Sequence, residues 1–158
     1  MKQIPLTQGK FALVDDADYD YLMQWKWYYT KQQYAARGVH SKMVKGVRTT
    51  KIISMHRFMM DAPNGMDVDH RDLDRLNNQR SNLRICTHKE NCRNQEKRRS
   101  SKTNFKGVSI YRNKFVAHIK VDGRKIHLGY FVDIHKAAES YNDAARKYFG
   151  EFALLNKT

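Results

Sequence analysis

The stretch MDVDHRDLDRLNNQRSNLRICTHKENCRN, residues 66–94, concentrates the most informative polar side chains of the chain. Its first five residues alternate as in a half-buried β-strand, and residues 81–84 indicate a turn into a second short strand. Thr87, followed three residues later by Glu90, forms a capping-box pattern that predicts a helix through Asn94. The stretch therefore predicts the order strand, polar loop, strand, helix.

Four side chains in this stretch suit the hydrolysis of a phosphodiester. Asp69 and His70 are adjacent, Asn82 follows His70 by twelve residues, and Asn91 follows Asn82 by nine. The reaction needs a base that deprotonates water and a cation that stabilises the leaving 3′ oxygen. His70 suits the base, and Asp69 and Asn91 offer the hard oxygen ligands that Mg²⁺ accepts. Because adjacent strand residues point to opposite faces, we expect Asp69 at a strand end or bend.

The spacing of these four residues, with NLR around Asn82 and EN at Asn91, resembles the HNH nucleases, and within them the phage and intron homing endonucleases. The resemblance covers roughly residues 53–94. It implies a ββα-metal fold with the metal between hairpin and helix. In that fold His70 would be the general base, Asn82 would orient its ring, and Asp69 and Asn91 would bind the metal. A calcium loop is the alternative for residues 67–74, but the run lacks the Gly and terminal Glu spacing of an EF-hand.

The residues before the motif, 1–52, read as a β-rich N-terminal unit. FALVD, WKWYYT and QYAAR are strand-like, and the acidic cluster after FALVD indicates a turn and a helix start. The run KMVKGVRTTKIIS predicts a hairpin with Gly46 at its turn. A short apolar helix is expected over residues 55–61. It includes His56 and Arg57, a pair common upstream of the HNH motif, which we interpret as support for the site or a phosphate contact.

The residues after the motif begin with a segment, 95–104, that contains no apolar residue. We interpret it as a basic linker, in which Arg98 and Arg99 are candidate phosphate contacts. A solvated connector without DNA contacts is the alternative.

Residues 105–158 predict three antiparallel strands followed by one helix, with Asp122-Gly123 at the second hairpin turn. Asp133 is expected to cap a helix from Ile134 to Phe149, and Gly150 to end it. One apolar helix face would consist of Ile134, Ala138, Tyr141, Ala145 and Tyr148. The strand residues expected to face the helix are Val108, Ile110, Phe115, Ala117, Ile119, Ile126 and Leu128. Those expected on the outer face are Ser109, Tyr111, Val116, His118, Lys120, Lys125 and His127.

This C-terminal segment is similar to the plant ethylene-response-factor (APETALA-type) DNA-binding domain, through FKGVS, KFVAHI, IHLGYF and AAESYNDAARKYFGEFALLN. The resemblance implies that the sheet enters the major groove of DNA, and by position it puts contacts on Ser109, Lys120, Lys125 and His127. Where the plant domains favour Arg and Trp, this chain has Ser109 and His127, so the target sequence does not carry over. Further candidate DNA contacts on and beside the same sheet face are Tyr111, Arg112, His118 and Arg124.

The charge of the chain favours a polyanionic partner. The net charge is +14, and residues 1–55, 56–104 and 105–158 contribute +5, +4 and +5. The excess is thus spread over the chain, which indicates contact with nucleic acid at several places. Cys86 and Cys92 form neither a CxxC pair nor a disulfide framework, which fits a reducing cytosol. With no apolar leader or span in the sequence, we expect a cytoplasmic protein of a bacterial host, encoded by a phage or mobile element, and no membrane partner.

Taken together, the sequence predicts an α+β protein with a β-rich unit (1–52), an HNH core (53–94), a linker (95–104) and a DNA-binding module (105–158). The predicted function is a site-specific, divalent-metal-dependent endonuclease acting on double-stranded DNA. Mg²⁺ is expected and Mn²⁺ also fits, because both accept oxygen ligands. The alternatives are a DNA-binding transcriptional regulator with an inactive nuclease site and a structural RNA-binding protein. The target sequence, the oligomeric state and the choice between nicking and double-strand cleavage stay open.

Overall fold

The computed structural model describes residues 1–40, 49–95 and 102–158. The expected turn at Gly46 and the candidate contacts Arg98 and Arg99 lie outside these ranges. The chain divides into two compact units, Met1–His88 and Lys89–Thr158. No helix in the described ranges has both the length and the apolar character needed to cross a membrane.

The first unit is a set of small antiparallel sheets with two short helices. Strand β1 pairs with β2, β4 pairs with both β3 and β5, and β6 pairs with β7. In chain order the elements are β1 (Lys2–Pro5), β2 (Phe11–Val14), α1 (Asp16–Leu22), β3 (Tyr28–Tyr29), β4 (Ala35–His40), β5 (Thr50–Ser54), α2 (Met55–Met59), β6 (Asp67–His70) and β7 (Leu83–Cys86). The predicted strand at MDVDH, the short strand after residue 82 and the helix starting at residue 55 are all present.

An apolar core joins the N-terminal strands to α2. Its buried side chains are Ile4, Ala12, Val14, Leu22, Trp27, Ala35, Met55 and Met59. Leu76, from the polar loop between β6 and β7, packs against the same core. Burial of these side chains is the main stabilising term for a unit with such short strands. The β-rich N-terminal segment and the HNH segment are therefore packed on one another.

The loop between β6 and β7 is bound to β2 and α1 by backbone and side-chain hydrogen bonds. Leu13 donates its N–H to the Leu76 carbonyl and accepts from the N–H of Asn78, each at 2.8 Å. The Arg80 guanidinium donates to both oxygens of Asp18, and the Arg80 backbone N–H donates to Asp15. The acidic cluster after β2 thus has a structural role, which is to hold the loop that follows His70.

Helix α3 (His88–Arg93) begins at the last residue of the first unit and continues in the second. The second unit then has the predicted three-stranded sheet, in the order β10-β9-β8, and one long helix. Its elements are β8 (Val108–Tyr111), β9 (Lys114–Val121), β10 (Arg124–Phe131) and α4 (Ile134–Phe149). Helix α4 has the predicted bounds. The Asp133 side chain accepts from the His135 N–H at 2.7 Å, and Gly150 ends the helix at φ 53°.

The predicted burial of this unit is wrong at two positions. Ile110 is 52% exposed, because α4 packs mainly over β9 and β10 and the end of edge strand β8 lies beyond it. Tyr148 is 39% exposed, and the buried face of α4 includes Ala137 and Ala144 in its place.

A β-bulge in β10 changes which side chains face outward. The register with β9 shifts between His127 and Gly129, and Gly129 has φ 142°, a conformation that only glycine adopts readily. Beyond the bulge Tyr130 pairs with Val116, an outer-face residue, so its ring joins the outer face. The outer face predicted from the sequence, in which Tyr111 was the one tyrosine, is therefore wrong in leaving out Tyr130.

Candidate active site

The hairpin of β6 and β7 positions Asp69 and His70. Asp69 is paired with Arg84 and His70 with Leu83 in an unbroken antiparallel register. The two side chains leave opposite faces of the hairpin, as strand geometry requires. Both residues are nevertheless buried, each at 5% exposure. The expected strand end is present, since β6 ends at His70, but there is no bend at Asp69.

A buried ion pair holds the Asp69 carboxylate. Arg84 donates from Nη2 to Asp69 Oδ2 at 2.6 Å and from Nε to the same oxygen at 2.9 Å. Both side chains are about 7% exposed or less. Charge-assisted bonds of this length in a buried setting are strong, and they place the Asp69 carboxylate beside a positive charge.

The imidazole of His70 lies in a cluster of rings. The His56 ring packs edge-on at 5.1 Å between centroids, and the Tyr34 ring lies 6.0 Å away. Tyr34 also packs on His56 at 4.8 Å. Burial lowers the pKa of His70, and this outweighs the opposing effects of the Asn78 amide beside the ring and of the nearby aspartates. His70 is therefore neutral at pH 7 and able to accept a proton.

His56 and Arg57 were interpreted together, as support for the site or as a phosphate contact. The structure gives the two side chains different surroundings. His56 is buried against His70, and burial together with the neighbouring His70 and Arg57 lowers its pKa to about 3. Arg57 donates to the backbone carbonyls of Met66, Ala62 and Pro63, at 2.6, 3.4 and 3.3 Å. Arg57 thus holds the loop between α2 and β6 through hydrogen bonds from its two terminal nitrogens.

Asn82 binds the loop that follows His70. Its amide nitrogen donates to Asp72 Oδ1 and to the Asn77 carbonyl, each at 2.8 Å, and its amide oxygen accepts from the Asp72 N–H at 3.1 Å. The Asn82 backbone carbonyl also accepts from the N–H of Arg71, the residue next to His70. The orienting role expected for Asn82 stays a prediction, and these bonds place its influence on the backbone beside His70.

Asn91 lies in α3, on the part of that helix that belongs to the second unit, whereas Asp69 belongs to the first. The described residues contain no cluster of three or more His, Cys, Asp or Glu side chains able to hold a metal. A divalent cation such as Mg²⁺ commonly takes only one or two protein ligands and keeps several water molecules. A carboxylate oxygen is a hard ligand of the kind that Mg²⁺ accepts, and Asp69 Oδ2 already binds the cationic guanidinium of Arg84.

The predicted DNA contacts of the second unit fall on one sheet and its turns. The cross-strand pairs place on the outer face Ser109, Tyr111, His118, Lys120, Lys125 and His127. Arg112 lies in the turn between β8 and β9, with its guanidinium 5.4 Å from the Tyr111 ring centre. Arg124 is the first residue of β10 and pairs with Val121, so its position is on the helix-facing side of the sheet and not on the outer face.

A groove of about 1140 Å³ lies within the second unit, beside the part of β9 that β8 does not cover. Its cationic lining includes Lys89, Arg93, Lys106 and Lys120. Lys89 pairs with Asp122 at 2.5 Å, and Lys106 donates to the carbonyls of Arg93 and Gln95 at 2.6 Å. Burial lowers the pKa of Lys106 to about 8. The residues of α3 beyond His88 and the outer sheet face therefore line the same cationic groove.

Three residues of the site were missed by reasoning from sequence. Arg84 is the last residue of the NLR motif, and its ion pair with Asp69 can be predicted only when the register of the hairpin is known. Asn78 adjoins Asn77 in a run of polar loop residues and had no distinguishing signal. Tyr34 is far away in sequence, in a segment whose aromatic content suggested only a strand.

Comparison with known proteins identifies the family of the chain. A family model described as HNH endonuclease matches residues 61–93, the stretch that contains all four candidate residues. An uncharacterized HNH endonuclease of Acanthamoeba polyphaga mimivirus is 32% identical over 157 residues, which cover 95% of this chain and 76% of that protein. No solved structure matches the chain. The chain belongs to the HNH endonuclease family, and its activity is that of a nuclease.

Proposed function

We propose that the protein is a divalent-metal-dependent DNA endonuclease of homing type, which hydrolyses a phosphodiester at a specific site in double-stranded DNA. The observation that carries the proposal is the buried pair at the end of β6. There a buried imidazole with a lowered pKa and a carboxylate paired with the Arg84 guanidinium occupy adjacent positions. The HNH family assignment and the viral relative support the nuclease class.

In the proposed mechanism His70 accepts a proton from water, and the water oxygen then attacks phosphorus in line with the leaving 3′ oxygen. His56 and Tyr34 hold the His70 ring by packing, and Asn82 holds the backbone that follows it. Asp69 and Asn91 would hold the divalent cation. When bound, that cation supplies positive charge beside the leaving oxygen.

Affinity and register for DNA would come from both units. In the second unit the cationic groove lined by Lys89, Arg93, Lys106 and Lys120 suits a phosphate backbone, and the outer sheet face adjoins it. Phosphate contacts position a protein on DNA without reading sequence, so site choice would depend on the groups on the sheet. The resemblance of this unit to the APETALA-type domain supports the assignment.

The direct test is cleavage of a supercoiled plasmid that carries candidate target sequences, at a Mg²⁺ concentration of about 10 mM, suited to a weakly held hard cation. Wild-type protein should produce nicked or linear product, and His70→Ala and added chelator should each abolish it. His135→Ala is the matched control, because His135 is an exposed histidine at the start of α4, outside the site. It should cleave like wild type.

Two results would redirect the assignment. Cleavage that survives in His70→Ala would remove His70 from the role of base. If the plasmid stayed intact with every target sequence, and wild type and His70→Ala both gave a salt-sensitive gel shift, the result would favour a DNA-binding regulator with an inactive nuclease site.

A further inference from the structure

The outer face of the β8–β10 sheet carries two exposed tyrosines beside a histidine. Tyr111 is 53% exposed and Tyr130 is 57% exposed, with ring centres 6.3 Å apart. The His127 ring lies 4.7 Å from Tyr130. Large aromatic side chains usually lose water contact when a protein folds, so a group of rings left on one sheet face marks a binding surface.

Glycine 129 is what brings Tyr130 to this face. In a regular strand Tyr130 would share the helix-facing side with Leu128, and its ring would enter the core. The bulge between His127 and Gly129 reverses the alternation, so that Tyr130 stands opposite Val116 on the outer side. The pairing of the tyrosine rings therefore depends on a specific irregularity of the backbone.

The charge around the rings suits a polyanion. Residues 108–131 include the basic side chains Arg112, Lys114, Lys120, Arg124 and Lys125, and the acidic residue among them, Asp122, pairs with Lys89. The Arg112 guanidinium also lies over the Tyr111 ring. Exposed aromatic rings surrounded by cationic side chains are the features that proteins use to bind unpaired bases, because every base has a flat face that can stack on a ring and every nucleotide has a phosphate.

We propose that this face binds unpaired bases of a DNA strand by stacking them on Tyr111 and Tyr130, with phosphates on Lys120 and Lys125. Fully paired DNA presents only base edges and would not use the flat faces of these rings. The proposal rests on the proposed function only in taking DNA as the partner, and it makes a distorted or opened duplex the preferred substrate of the nuclease.

The test uses the full chain with His70→Ala and a chelator, so that binding is measured without cleavage. Affinity is measured for a single strand and for a fully paired duplex of the same sequence. The single strand is a thymine tract with one 2-aminopurine, whose fluorescence falls when it stacks. Tyr130→Leu and Tyr111→Leu should each weaken single-strand binding by about fivefold to a hundredfold and reverse the quenching. Duplex binding should change by about twofold or less, because the phosphate contacts stay.

Two further variants guard the conclusion. Tyr130→Phe keeps a ring and should keep both affinity and quenching, which separates loss of stacking from loss of folding. Tyr148→Leu is the matched control, since Tyr148 is a partly exposed tyrosine on α4 away from the sheet. It should bind as the parent does.

The proposal is overturned if the leucine variants weaken duplex and single strand equally, because the rings would then contribute to binding of paired DNA and would not select unpaired bases. It is also overturned if they change neither affinity, or if an RNA strand of matching sequence binds more tightly than the DNA strand. None of these results depends on whether the plasmid is cut, so failure here and failure of the nuclease assignment are distinguishable.

Discussion

At the scale of single residues, the Asp69–Arg84 ion pair carries a stability cost that can be measured. Both partners are buried, so Arg84→Met would leave a carboxylate without its counter-charge, at a cost of about 3–5 kcal/mol in the free energy of unfolding. Arg80→Met is the control, because Arg80 is 56% exposed in its pair with Asp18, and it should cost about 1 kcal/mol or less. Urea unfolding of both variants makes the comparison, and equal losses would contradict the buried pairing.

Histidine 56 should make the protein sensitive to acid. Its pKa is about 3 in the folded chain, against an ordinary 6.5, because of burial and the neighbouring His70 and Arg57, with Asp67 opposing them. The unfolded chain therefore binds a proton that the folded chain resists, and stability is lost as pH falls below 6.5. The slope of the free energy of unfolding against pH approaches about 1.4 kcal/mol per pH unit, which is the limit for one bound proton. His56→Phe should flatten this slope in urea unfolding between about pH 6 and pH 4. An unchanged slope would show that His56 is accessible to protons.

At the scale of elements, local signals predicted what local forces determine. The bounds of α4 were predictable because Asp133, the apolar spacing and Gly150 act within a few residues of one another. So was the order of β6, β7 and α3. The bulge at Gly129 could not be predicted, because a register shift arises from the pairing of two strands and does not change the apolar and polar alternation of the sequence. One irregular position thus moved Tyr130 from the expected core to the outer face.

The candidate site shows the same division between local and distant effects. The adjacency of Asp69 and His70 is read directly from the chain, but their surroundings come from segments far apart in sequence. Tyr34, just before β4, and His56, in α2, pack beside the His70 ring. Arg84 lies beside Asp69 because β6 and β7 pair in that register. Side-chain chemistry was enough to predict candidate reacting groups, whereas the packing around them could be seen only in the three-dimensional fold.

At the scale of the whole molecule, the spread of positive charge predicts strongly salt-dependent DNA binding. The logarithm of DNA affinity falls linearly with the logarithm of salt concentration, because binding releases condensed counterions. Each phosphate that the protein neutralises contributes roughly −0.9 to this slope. Lys120 and Lys125 are opposite one another on the outer sheet face. The double variant Lys120→Gln with Lys125→Gln should therefore reduce the duplex slope by roughly 2. Arg146→Gln is the control, because Arg146 lies on α4 and pairs with Asp143 on the same helix. The slope is measured by fluorescence anisotropy from low to physiological salt in the His70→Ala background. If the double variant and the control gave the same slope, the sheet face would make no phosphate contact, and the first unit would supply the charge that holds DNA.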